Sequence, residues 1–177
     1  MSLSIFNTTQ YNDLKDITSK VEEQCIQILN EYGKIIFLLD TTLNDSIFNG
    51  VIDNLSNKNI AYIPLAHKKE IAKSNLFFIC IDDKKVFERV KEDLLQNLSR
   101  NKNITNDCYF VHGYGVAKTR SLEELRDQIK TKLVISDQGK KILFRWYDPR
   151  VMIYLDEIFK TEYVGGLLNG FKEWHFL

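Results

Sequence analysis

IIFLLD, Ile35 to Asp40, is a run of five apolar residues closed by an aspartate. It lacks the polar alternation of a half-exposed strand, so it reads as a β-strand buried on both faces. Such a strand needs a covering layer on each side of its sheet, and the flanking sequence supplies helices. Upstream, Leu14, Ile17, Val21, Cys25, Ile28, Leu29 and Tyr32 form a helical apolar stripe, with Gly33 as its stop. Downstream, Ile47, Phe48, Val51, Ile52 and Leu55 line one side of a second helix that starts at about Asp45.

The pattern repeats along the chain. IAYIPLA and LFFICI are further strands, and Pro64, which has no N–H, confines the first to an edge or irregular position. Asp82 or Asp83 caps a helix with Val86, Val90, Leu94 and Leu98 on its apolar line, and RNKNITND is a loop. YFVHGYGV is a strand with glycines at its far end, and Ser121 with Glu124 makes a capping box for a helix carrying Leu122, Leu125 and Ile129. LVIS and KKILFRWY form a hairpin across DQGK, where Gly139 supplies a positive φ. A helix from Asp148 and a Gly165-Gly166 break precede LLNGFKEWHFL. The expected fold is a single mixed α+β (α/β) domain over residues 1–177. It has an N-terminal helix to residue 33, a mixed central sheet flanked by helices over 34–177, and a C-terminal hairpin leading into a helix.

The 177 residues are 44% hydrophobic, enough for one core. Lys+Arg and Asp+Glu number 24 each, which gives no electrostatic reason to expect nucleic acid or an anionic membrane as partner. Three distant cysteines, with Cys25 and Cys80 inside apolar runs, fit a reducing cytoplasmic setting. The N-terminus has no secretory pattern, and the apolar runs fall far short of the roughly 20 residues that span a bilayer.

Few residues point to chemistry. His67, His112 and His175 show no metal-ligand spacing with cysteine, so neither a metal nor a cofactor is expected. Cys108 with His112 as its base fails on distance, because four residues of strand span roughly 13 Å. HGYGVAK, His112 to Lys118, lacks the third glycine of a dinucleotide loop and the Gly-Lys-Ser/Thr of a phosphate loop. The basic run HKKE, His67 to Glu70, reads as a solvated loop, and its position beside an edge strand would also suit contact with an acidic partner.

LFRWYDPR, Leu143 to Arg150, is the densest motif. As a continuing strand it puts Ile142, Phe144 and Trp146 on one face and Leu143, Arg145 and Tyr147 on the other. Arg145 then needs a carboxylate or carbonyls if its face is covered. Asp148 followed by Pro149 is a helix start, with the helix burying Val151, Met152, Leu155, Ile158 and Phe159. Arg150 in the first turn opposes the helix dipole by about 0.3–1 kcal/mol, so it calls for a specific acidic or carbonyl partner. Arginine is a poor acid or base and a capping aspartate is already occupied, which favours a structural joint over catalysis.

LFRWYDPRVMIYLDEIF also resembles the signature of the bacterial type VI secretion adaptor family, the effector chaperones called Tec or Tap proteins, with their F-R-[FWY]-Y-D-P-R-V segment. SLEELRDQIKTKLVISDQGKKI, YFVHGYGVAKTR and LFFICI are similar in order to the elements that precede it. KIIFLLDTTLNDSIF is similar to the opening strand, with Asp40 at the matching position. The resemblance spans about Ile35 to Phe176 and is specific over Phe144 to Val151. Many members continue into a helical C-terminal lobe, and this chain stops soon after the motif helix, so it is expected without one.

The resemblance implies a non-enzymatic, cytoplasmic bacterial protein that binds a toxic effector and promotes its loading onto the VgrG spike or a related carrier. It makes Phe144, Arg145, Trp146, Tyr147, Asp148, Pro149 and Arg150 the motif or partner-binding residues. The competing reading is a small hydrolase or phosphoryl-transfer enzyme built on the Asp/Arg cluster. That reading requires Asp148 or Asp40 to share a pocket with His112 and both arginines. Whether Arg145 and Arg150 find partners within the chain or on the cargo is open from sequence.

Overall fold

A computed structural model of the chain describes residues 14–41, 50–64, 76–99 and 111–176. Cys108, HKKE and RNKNITND lie outside these residues, as does most of the helix expected from Asp45; its end at 50–52 is described, with Val51 buried.

The elements in chain order are α1 (Leu14–Tyr32), β1 (Ile35–Asp40), β2 (Ile60–Tyr62), β3 (Leu76–Ile81) and α2 (Lys84–Ser99). Then follow β4 (Val111–Ala117), α3 (Leu122–Lys130), β5 (Val134–Asp137), β6 (Lys140–Leu143), α4 (Pro149–Met152), α5 (Leu155–Ile158), α6 (Thr161–Leu168) and β7 (Phe171–His175). A five-stranded sheet runs β2-β3-β1-β4-β7, and β5-β6 form a separate hairpin. The expected mixed α+β domain with helices flanking a sheet is present. Pairing within the sheet is more uniform than a mixed sheet, since all four of its ladders are antiparallel.

β1 is central and buried along its whole length, as a continuous apolar run demands. Its odd residues Ile35, Phe37 and Leu39 pack with Val21, Cys25 and Ile28 of α1 and with Phe87, Val90 and Leu94 of α2. Its even residues Ile36 and Leu38 meet Leu125 and Ile129 of α3, Trp146, Tyr147 and the C-terminal helices. Each such side chain contributes about 1.5–3 kcal/mol on leaving water. Burial raises the Cys25 thiol, reinforced by Glu22, and lifts the Cys80 thiol to about 11, so both act as neutral apolar packers.

Local signals end the elements where expected. Gly33 takes φ 69° and its N–H donates to Leu29 O, closing α1. Asp83 caps α2, its carboxylate accepting from Lys85 N at 2.6 Å. β2 is three residues long at the sheet edge, just before Pro64. Gln138 and Gly139, with φ of 47° and 79°, make the two-residue turn between β5 and β6. Ser121 Oγ accepts from Glu124 N at 3.2 Å, while Glu124 reaches back to Arg120 N at 3.1 Å. Ser121→Ala removes this cap and is expected to cost about 1 kcal/mol. Thermal unfolding should show a fall of about 2–4 °C.

Two expectations are corrected and one strand is added. Gly113 and Gly115 stand inside β4, not at its end. A Cβ on Gly113 would lie 2.6 Å from the Trp174 ring, and one on Gly115 would strike the Glu173 carbonyl, so both glycines admit β7. Gly165 and Gly166 do not break the chain but lie within α6. The segment after them, to which the sequence reading assigns no element, contains the fifth strand, Phe171–His175, pairing with β4.

Candidate functional site

The motif forms a joint rather than a long strand. β6 ends at Leu143, and Asp148 N donates to Arg145 O at 3.0 Å, turning the chain before α4. Strand alternation therefore does not extend through the motif. Trp146 and Tyr147 are both fully buried although adjacent, and Arg145 is 45% exposed instead of lying under a covered face. Phe144 is half-buried and meets Phe159 edge-on at 5.3 Å.

Asp148 caps α4 with Pro149 at its first position, and its Oδ1 accepts from Arg150 N at 3.0 Å. Arg150 finds the partner its position requires within the chain. Its Nε and Nη2 donate to the two oxygens of Asp148 at 2.9 and 2.6 Å, a forked pairing. Burial alone would raise the Asp148 carboxyl. The hydrogen bonds from the Arg150 side chain and backbone, with the nearby Arg150 charge, hold it below the usual carboxylate range.

Arg145 ties the joint to the sheet. Its Nη2 donates to Asp40 Oδ2 at 3.2 Å and lies 4.0 Å from Asp148 Oδ2, while the guanidinium sits 5.8 Å from the Tyr147 ring centre. Burial pushes the Tyr147 hydroxyl up to about 12, so it is a neutral phenol at physiological pH. Asp40 closes β1 with little exposure.

His112 joins the same group through a β-bulge. β1 pairs Leu38 with Gly113 but Leu39 with Val111, which leaves His112 as the extra residue. Val111 and Tyr114, three positions apart, consequently face the same core. The His112 ring is fully buried, 3.7 Å from Asp40 Oδ2 and edge-on to Tyr147 at 5.0 Å between ring centres.

The fold thus brings together Asp40, His112, Arg145, Tyr147, Asp148 and Arg150. It does not lay them out as an open acid-base pair. Both carboxylates are buried and bonded to arginines, Asp148 is held ionised, and the two arginines are the exposed members. Such a group can clamp the sheet to the helical segment and present two guanidinium edges outward.

Sequence periodicity missed a different feature. The helix read from Asp148 is two single turns, α4 and α5, so Ile158 is 58% exposed instead of buried, and Ile153 and Tyr154 between the turns are about half exposed. The adjacent pair Ile153-Tyr154 lies off the Met152 and Leu155 line, and that offset was the available signal.

Among the described residues no helix is long and apolar enough to cross a membrane, and no group of three or more His, Cys, Asp or Glu is placed to hold a metal ion. Comparison with protein-family models, curated proteins and solved structures returns no match.

Proposed function

We propose that this chain is a type VI secretion adaptor, a non-enzymatic bacterial cytoplasmic protein that binds a toxic effector and promotes its loading onto a VgrG-type spike. One observation carries the reading beyond the motif resemblance. Among the described residues, every strongly exposed large apolar side chain falls between Val134 and Tyr163, the stretch that brackets LFRWYDPR. Single exposed apolar residues are ordinary, but seven confined to one segment suit a protein-contact surface.

The segment is internally linked. Val134 pairs with Leu143 in the hairpin, Phe144 meets Phe159, and Phe159 stacks on Tyr163 with 4.7 Å between ring centres. The Asp40–Arg145 pair holds this surface against the sheet and the Asp148–Arg150 pair braces the joint itself, so the motif acts as the mount and its apolar neighbours as the contact.

Co-expression with the spike and effector encoded beside this chain should give a complex on size exclusion. Ile153→Asp combined with Ile158→Asp should abolish it while leaving the melting temperature within a few degrees, because both side chains are already exposed. Retention of the complex by this variant, or no complex with any neighbouring product, removes the reading.

The convergence of His112, Asp40 and Asp148 with both arginines specifically favours a second reading, the small hydrolase or phosphoryl-transfer enzyme. Turnover of generic ester and phosphate substrates that disappears in His112→Gln would support it over the adaptor. Burial of the carboxylates and their pairing with arginines weigh against it.

A further inference from the structure

We infer that the end of the sheet opposite the Asp40–Arg145 clamp binds a small phosphorylated molecule. A cleft of about 340 Å3 opens there, a size that suits a small ligand. Lys34 at the entry to β1, Lys58 in the 3-10 turn before β2, and Arg120 ahead of α3 line it from three separate elements. Among the described residues, none of these three side chains makes an ion pair.

Two carboxylates share the lining. Asp82 Oδ1 accepts from Asn59 Nδ2 at 3.1 Å, which turns it toward the 3-10 segment, and Glu123 is exposed in the first turn of α3. The balance among lining side chains is therefore positive by one charge. The α3 N-terminus adds to it: Ser121 and Glu124 occupy the Glu124 and Arg120 amides, leaving those of Leu122 and Glu123 as donors. Ile36, Ala117 and Leu122 supply an apolar wall beside the charged rim. Donors from three elements and two helix amides suit a phosphate attached to a small body over a carboxylate, because a phosphate offers three terminal oxygens to accept from them and a carboxylate only two.

This site is independent of the adaptor reading. Two-dimensional NMR of the full chain, titrated separately with inorganic phosphate, phenyl phosphate and acetate, tests it. Saturable shifts are expected around Lys34, Lys58 and Thr119–Glu123, tightest for phenyl phosphate and weakest for acetate. The combined variant Lys34→Gln, Lys58→Gln, Arg120→Gln should weaken phosphate binding at least about tenfold. Lys140→Gln with Lys141→Gln, in the hairpin, should bind as the parent does. Shifts that do not saturate, equal binding of acetate, or unchanged affinity in the triple variant would each overturn the assignment.

Discussion

Asp148→Ala is expected to lower stability by about 3 kcal/mol, more than any other single substitution in the motif that leaves the core aromatics intact. Three functions are lost together: the cap on Arg150 N, the forked pairing with Arg150, and the 4.0 Å approach to Arg145. The cap accounts for about 1 kcal/mol. The buried carboxylate's ion pairs supply the rest, discounted because both guanidiniums are about half exposed and partly screened. For a domain of this size the melting temperature should fall by about 6–12 °C. Asp148→Asn keeps an N-capping acceptor and loses the charge, so it should fall between the two.

The pH dependence separates charge from cap. The native Asp148 carboxyl is held below its ordinary value, so the unfolded chain binds the proton more tightly and stability rises with pH through this window. The charge contribution is present above the unfolded value of about 3.9 and is lost as pH falls through the native one. The gap in melting temperature between parent and Asp148→Asn should therefore begin to narrow below about pH 4 and close once the pH is under the native value. A gap that persists at low pH would mean the carboxylate's charge contributes nothing to the joint.

Gly115→Ala should be at least as damaging, at about 3 kcal/mol or more. The new methyl group would meet the carbonyl of Glu173 and lie 3.0 Å from the Cα of Trp174. These are backbone atoms of the paired strand β7, which cannot rotate away as a flexible side chain would. β7 must shift outward, breaking the ladder between Tyr114–Ala117 and Phe171–His175. Gly165→Ala gives the opposite sign. An added Cβ there meets nothing within 4 Å, and alanine in the middle of α6 should stabilise by about 0.5–1 kcal/mol. Urea unfolding of both variants checks the pair, and parent-like stability of Gly115→Ala would refute the close-approach role.

Much of the fold was legible because its signals are local. Continuous apolar content marked β1 as a buried strand, LFFICI read as a further strand, and Pro64 confined β2 to an edge or irregular position. Ser121, Gly139 and Asp148-Pro149 state their turns or caps within a few residues. β7 was not legible in this way. Phe171 and Trp174 are buried while Lys172 is exposed, but five residues after a glycine pair carry too little pattern to be distinguished from a tail.

The motif divides along the same line. That Asp148 caps a helix and that Arg150 needs an acidic partner follow from position alone, because capping and the helix dipole act over one turn. That Arg145 reaches Asp40, 105 positions away, depends on how the sheet brings the end of β1 to the joint. The bulge that turns His112 toward Asp40 is a matter of register between strands, and the exposure of Ile153 and Ile158 depends on what packs above them. Local backbone chemistry is written in neighbouring residues, so the sequence by itself determined the buried strand β1 and the caps and turns at Gly33, Ser121, Gly139 and Asp148. Contacts across the sheet and the identity of the uncovered face depend on the packing of distant segments, and only the tertiary structure decided them.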